Sequence, residues 1–400
     1  MTKKTLLFLL YFVFSVVLYF TESQGLKVSL LAAVIYSATY FKNINQFLVY
    51  MCVSVVSHGI ESQALYLAAT LPLYISRSAF KSISRHLLPL SIIAGLAGIS
   101  FILGRDSQLT TMLVFLSSVV VFVQVIDSKI THEEFFDYAG LAAAILITIL
   151  GLNAMSGTLQ LRYGRISIND NIRQVANLAS IPAFCSWTMV MLSGKRKILY
   201  FLVGIASSFV LLLTISKGAL AATAGGLMVV YLFSTRKFST GHLVSIALAA
   251  LAILAVYMYV QTMEGYHFDR LNDEYDGFSG RTKIWSLYLD NFKENTSTIL
   301  FGFGPGDLKR LMISEYYAHS LFFDMFMCYG VAMVLAGIAV FASTLRLIAK
   351  AWDVFAMGLL LFTVLLYATH GNVTAPMFYV QLGVAISFAK LQKSFSYGKH

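Results

Sequence analysis

Long apolar runs, each closed off by a short polar stretch, recur from one end of this chain to the other, and they restrict the fold more than any motif does. Backbone N–H and C=O groups have no water partner inside a bilayer, so a chain that crosses one repeatedly does so as helices or as a closed barrel. The runs here lack the period-two alternation of barrel strands, which leaves helices. A soluble alternative fails on composition. With 58% apolar and only 12% charged residues in 400 positions, no charged shell can enclose a single apolar core. The expected fold class is all-α, a polytopic transmembrane helix bundle of about 12–14 spans with one long outward loop containing short helices.

Reading the apolar runs against their punctuation places spans near 5–20, 26–41, 45–59, 62–75, 87–103, 109–126, 138–155, 173–192, 198–215, 218–233, 241–260, 319–343, 354–369 and 376–391. Lys3 and Lys4 ahead of the first run resemble the start of a secretory leader. Thr21-Glu22-Ser23-Gln24-Gly25 follows in place of a small-x-small cleavage site, so an uncleaved first span is expected. Cys52, Cys185 and Cys328 all lie in apolar stretches without CxxC or Cys/His spacing, and are expected to be buried thiols. No metal-ligand set, serine elbow or P-loop ending appears, so neither a metal nor a cofactor is called for, and nothing points to nucleic acid.

The charges give an independent check. With the N-terminus in the cytoplasm, Lys42, Arg77, Lys81, Arg85, Lys129, Lys195–Lys197, Arg236, Lys237, Arg346, Lys350 and the Lys390, Lys393 and Lys399 tail all fall on one side, as the positive-inside rule requires. Both termini are then cytoplasmic. Lys27 and Arg105 are isolated exceptions, and the remaining outward cations sit in three places: the 156–173 loop, the turn Thr214-Ile215-Ser216-Lys217-Gly218, and the segment 261–318. Four units follow: N-terminal transmembrane helices over 1–155, central transmembrane helices with the outward basic loop over 156–260, the long loop over 261–318, and C-terminal transmembrane helices over 319–400.

Cations held where insertion disfavours them ask for an anionic partner, and phosphate suits them chemically. Arginine presents a planar fork of donors matched to phosphate oxygens, so a diphosphate leaving group would draw several such forks to the outer surface. Arg162, Arg165 and Arg173 are candidates, and Arg173 shares a helix face with Asn177. The competing reading makes them loop charges meeting lipid phosphates or Asp170. Lys217, fixed in a tight turn, either holds an anion or snorkels to lipid headgroups. Arg281, at a helix start where a cation opposes the helix dipole, is either functional or paired with Asp276.

His319 stands where the long loop re-enters the bilayer, placed for a general base acting on a hydroxyl or else satisfied by a neighbouring carbonyl. Asp324, five residues on, lies about 140° round the helix and is expected to face a cation on another helix rather than His319. Within 261–318, Ile284, Trp285, Tyr288, Leu289 and Phe292 give an amphipathic helix from Arg281 to Asn295 that would lie at the interface. Gly302-Phe303-Gly304-Pro305-Gly306 breaks it and folds the loop back over the bundle, and a second short helical run, Asp307 to Tyr317, precedes His319.

Ser216-Lys217-Gly218-Ala219 at a span boundary, Gly280-Arg281 with Trp285 after it, Gly302–Gly306, and Ala318-His319-Ser320 ahead of Phe322-Phe323 and Tyr329-Gly330 together resemble the O-antigen ligase and O-antigen polymerase superfamily. Arg165-Ile166-Ser167 resembles its upstream element, and the resemblance spans roughly residues 160–345. It implies a metal-independent membrane glycosyltransferase of the bacterial inner membrane. Such an enzyme takes glycan from undecaprenyl diphosphate at the periplasmic face and passes it to an acceptor glycan hydroxyl, using no nucleotide sugar.

By the same resemblance Arg281 and Lys217 hold the departing diphosphate, Arg165 supports them, and His319 orients or deprotonates the acceptor. The chain departs from the family's habit with lysine at 217, where arginine is common, and with serine at 320, where asparagine often follows the histidine. The short stretch between Arg281 and His319 favours a polymerase over a ligase acting on lipid A-core, and leaves a chain-length regulator open as a partner. Transport of lipid-linked oligosaccharide is the rival from another class. Transporters typically place ionisable groups at mid-span, whereas here they lie mostly at span ends.

Overall fold

The computed structural model describes residues 3–21, 23–40, 77–104, 107–162, 165–167, 172–192, 196–234, 285–286, 289–290, 296–306, 320–369 and 376–397. Over these the chain is a helical bundle, as expected. Its elements are α1 (Lys3–Phe20), α2 (Gln24–Tyr40), α3 (Arg77–Arg85), α4 (Leu87–Leu103), α5 (Leu109–Ile126), α6 (His132–Met155), β1 (Gln160–Arg162), β2 (Arg165–Ser167), α7 (Ile172–Leu192), α8 (Lys197–Leu213), α9 (Lys217–Ser234), α10 (Thr296–Phe301), α11 (Leu321–Ala351), α12 (Val354–Thr369) and α13 (Pro376–Tyr397). The expected spans at 45–59, 62–75 and 241–260, the second loop helix at 307–317 and Cys52 lie outside the described residues. Among the described residues, five helices are long and apolar enough to cross a membrane: Leu109–Ile126, His132–Met155, Val175–Leu192, Lys217–Ser234 and Leu321–Ala351. Thr5–Phe20, Leu87–Leu103, Lys197–Leu213 and Val354–Ala368 are shorter apolar helices.

The helices start and stop where local chemistry tells them to. Thr131 caps α6 with a reciprocal box, its hydroxyl accepting from the Glu134 N–H at 3.2 Å while the Glu134 carboxylate accepts from the Thr131 N–H at 3.0 Å. Glu133 and Glu134 then sit in the first turn, where negative charge favours the helix dipole.

Small residues let the central helices approach closely, the packing a bilayer rewards when lipid supplies no hydrophobic driving force between spans. A Cβ on Gly226 of α9 would lie 2.8 Å from the Phe362 Cβ and 3.0 Å from the Gly358 carbonyl of α12. One on Gly358 would overlap the Val230 side chain. Phe184 of α7 completes this contact by stacking on Phe362, with centroids 4.9 Å apart and planes at 12°. On the other side of the bundle Gly383 of α13 packs against Val125 and the Phe122 carbonyl of α5. Large apolar side chains elsewhere point away from the protein, Leu88, Ile102 and Ile198 being the most open within their helices, as lipid-facing surfaces require.

The contacts sort the helix ends into two sets. Asp127, just past α5, meets Arg85 at 3.4 Å, His86 at 3.5 Å and Lys390 at 3.6 Å, joining α3, the start of α4 and the far half of α13. Asp353 meets His132 at 3.0 Å, Asp137 meets Arg196 at 3.6 Å, and Phe233 meets Trp352 edge-on, so α6, α8, α9, α11 and α12 all reach this same end. The opposite end holds the α8–α9 turn, the β1–β2 hairpin and the glycine segment 302–306. Arg85, Arg196 and Lys390, three of the cations that the insertion rule gathers on one side, are in the first set.

The all-helical expectation needs one addition. β1 and β2 form a two-stranded antiparallel hairpin in which Gln160 faces Ser167, Leu161 faces Ile166 and Arg162 faces Arg165. Its second strand packs on α7. The interfacial helix expected over 281–295 is described only at Trp285–Ser286 and Leu289–Asp290, which are helical.

Candidate functional site

The end of the bundle away from the ion pairs is built around glycines. α10 stops at Gly302, whose N–H still donates to the Thr298 carbonyl at 2.7 Å but whose φ of +78° turns the chain out of the helix. The next residues dock on α11 by backbone alone: the Phe303 N–H donates to the Met327 carbonyl at 2.7 Å, and the Gly304 N–H to the Cys328 carbonyl at 3.1 Å. Those carbonyls are open to the loop because α11 is interrupted at Gly330, where φ 71° and ψ −174° break the helical ladder. From α4, Ser100 donates its hydroxyl to the same Cys328 carbonyl at 2.7 Å. Pro305 then accepts from the Gln108 N–H at 2.8 Å, tying in the start of α5.

There is no room here for side chains. A Cβ on Gly302 would overlap the Cys328 carbonyl group and lie 2.5 Å from the Tyr329 nitrogen; one on Gly330 would overlap the Leu300 carbonyl group and lie 2.5 Å from the Phe301 nitrogen. At Gly104, a Cβ would overlap the Gly304 Cα and come within 2.6 Å of the Phe303 and Ser100 oxygens. Gly302, Phe303, Gly304 and Pro305 are all buried, so this irregular backbone is enclosed in protein, the condition under which a membrane protein tolerates it. The glycine segment is thus a backbone joint between α4, α10 and α11.

Ser320 begins α11 as its N-cap, its hydroxyl accepting from the Phe323 N–H at 3.4 Å. Asp324 lies buried in the first turn, where a carboxylate complements the helix dipole. Trp285 stacks on Phe323, with centroids 5.4 Å apart and planes at 16°, so the upstream part of the long loop reaches this same short helix. His319, next in sequence to the cap, lies outside the described residues, as does Arg281.

Lys217 opens α9 and is exposed, one step after a buried turn. Thr214 caps α8 by donating its hydroxyl to the Leu211 carbonyl at 2.7 Å, Ser216 accepts from the Leu220 N–H at 2.9 Å, and Ile215 between them adopts φ +48°. A β-branched residue in the left-handed region costs about 1–3 kcal/mol and persists only where its surroundings impose it. Ile215 is 4% exposed, and its burial holds the turn in place. None of the described acidic residues pairs with Lys217, so its ammonium is carried on a rigid mount at a helix N-terminus.

Arg162 and Arg165 face each other directly across the hairpin. Arg173 lies in the first turn of α7, and Asn177, one turn further, has a buried Oδ1 with no hydrogen bond among the described residues. Cys185 and Cys328 are buried, as expected.

The structure thus puts Lys217, the arginine hairpin, Arg173 and Ser320 at one end of the bundle. Sequence reasoning missed Ser100, Gly104, Gln108 and Ile215. The first three are ordinary residues at the edges of apolar runs, and their partners are some two hundred positions away. Only the brevity of the 214–217 turn hinted at Ile215. No curated protein matches the chain. Residues 201–336, from the first turns of α8 to the middle of α11, match the family described as O-antigen ligase, so the resemblance to the O-antigen ligase and polymerase superfamily is shown over the stretch that holds Lys217, Gly302–Gly306 and Ser320.

Proposed function

We propose that this protein is a surface-polysaccharide polymerase of the bacterial inner membrane. It transfers glycan from undecaprenyl diphosphate to a hydroxyl of another lipid-linked repeat unit at the periplasmic face. The observation that carries the reading is that one family match takes in Lys217, Arg281 and His319 together. In the reaction the acceptor hydroxyl oxygen attacks the anomeric carbon of the donor glycan. The bond from that carbon to the diphosphate oxygen breaks, and the electron pair leaves with the diphosphate. His319 takes the hydroxyl proton. Arg281 and Lys217 meet the charge that develops on the leaving group, with the outward arginines Arg162, Arg165 and Arg173 supporting the diphosphate before transfer. Fixed cations in a partly dehydrated site stabilise such charge strongly, and no covalent nucleophile is needed.

The description of the matched family favours a second reading, the ligase that passes finished polymer to lipid A-core. Deleting the gene and resolving the surface glycan by chain length separates the two. Core carrying a single repeat unit with no ladder is the result expected for a polymerase. Bare core with long polymer still on the lipid carrier would make the protein a ligase. Bare core with lipid-linked repeat units retained on the cytoplasmic face would make it a transporter, and an unchanged ladder would overturn both enzyme readings.

A further inference from the structure

We propose that Gly302 and Gly330 are positioning residues for transfer: their reciprocal backbone contact sets the short outer segment of α11, which begins at Ser320, against α4. The inference rests on the glycosyl-transfer reading above, and it assigns a task to residues that touch neither donor nor acceptor.

The joint is reciprocal. The space where a Gly302 side chain would begin is filled by the backbone of residues 328–329, and the space where a Gly330 side chain would begin is filled by the backbone of residues 300–301. Backbone cannot swing aside as the tip of a flexible side chain can. Gly330 also sits at φ 71° and ψ −174°, a region essentially closed to L side chains. The sequence therefore commits both positions to glycine for one shared contact.

What that contact holds is the helix between Ser320 and Tyr329, fewer than three turns long and cut off from the rest of α11 by the break at Gly330. A helix this short is marginal alone, so its direction is imposed by what it is bonded to. Those bonds are the Phe303 and Gly304 N–H groups on the Met327 and Cys328 carbonyls, and the Ser100 hydroxyl on Cys328. All act at its far end, and His319 adjoins its near end through Ser320. A shift of the joint moves Ser320, the next residue in sequence after His319, relative to everything mounted on α4. Displacing a reacting group by an ångström can cost about 10²-fold in rate.

The test uses the full-length protein in lipid vesicles, with a diphosphate-linked repeat unit on a polyprenyl carrier as both donor and acceptor, comparing Gly302→Ala, Gly330→Ala, Ser100→Ala and Gly337→Ala. Gly337 is the control, because a Cβ there meets only the tip of the flexible Met325 side chain, at an ordinary 3.5 Å. Each joint glycine variant is expected to lose about 10²-fold in kcat with donor KM within about twofold. Ser100→Ala should lose about tenfold, the worth of one hydrogen bond, and Gly337→Ala should match the parent. Ser100→Ala adds no atom, so it decides the matter even where a glycine variant fails to insert. Parent-like kcat in Ser100→Ala or in either folded glycine variant overturns the proposal, and so does a loss confined to KM. Absence of transfer by the parent itself would instead overturn the glycosyl-transfer reading.

Discussion

The two ends of this bundle are joined in different ways. At one end carboxylates match helix ends to one another: Asp127 is shared by Arg85, His86 and Lys390, Asp137 meets Arg196, and Asp353 meets His132, which stacks on Phe355. At the other end the joints are made of backbone and glycine. Lys217 has no partner among the described acidic residues, and two arginines face each other across a hairpin. A charge already neutralised within the protein serves assembly. A lysine carried on a rigid turn with no acidic partner among the described residues is placed to meet an anion that arrives from outside, which is the role proposed for Lys217.

That contrast can be broken by substitution. The largest effects belong to His319→Ala and Arg281→Ala. Each is expected to lower transfer by about 10²–10⁴-fold, the range for losing a positioned acid–base group or a charge stabiliser, while expression and insertion persist. Normal turnover in either variant would remove the chemistry assigned to that end. Lys217→Ala should cost about 10–100-fold in kcat/KM for the lipid-diphosphate donor, with Lys217→Arg retaining most of it. If Lys217→Ala behaves as the parent, the exposed lysine is a lipid anchor and the contrast loses its clearest member.

At the matched end the effects should be on stability. Asp353 is buried and caps α12 by accepting from the Ala356 N–H at 2.9 Å, so Asp353→Ala should destabilise the detergent-solubilised protein by about 1–2 kcal/mol, read as a lower Tm. Transfer per folded molecule should be unchanged. Asp127→Asn should be smaller, about 1 kcal/mol or less, because its cationic partners are half-exposed. Burial alone would raise the Asp127 carboxyl, but Lys390 and His86 outweigh it and hold the group below its usual value. A depressed carboxyl contributes stability above the ordinary carboxylate range and loses it as pH falls through the folded value. The Tm gap between parent and Asp127→Asn should therefore close on acidification from about pH 6 to about pH 3. A gap that widens would mean the cluster is not stabilising.

Much of the fold was legible because bilayer physics leaves a chain few choices. The runs read at 87–103, 109–126, 198–215, 218–233 and 354–369 appear as α4, α5, α8, α9 and α12 with bounds within a few residues. Each run stands alone, so no tertiary knowledge is needed to see it. The hairpin at 160–167 was read only as a basic loop, because two three-residue strands are too short to show a period. The break in α11 was also invisible, since a lone glycine inside an apolar run reads as an ordinary small residue. Candidate cations were found by a rule about where charge should not be, which names residues without saying which share a site.

By itself, then, the sequence determined that this is a helical membrane protein and where several of its helices run, because each apolar run depends on local composition against a known solvent. Only the tertiary structure decided that Gly104, Gly302, Gly304 and Gly330 form one joint, that Ser100 braces the carbonyl of Cys328, and that Ile215 holds the mount of Lys217. Contacts between residues two hundred positions apart arise from how helices pack, and nothing in the local pattern of either partner records the other.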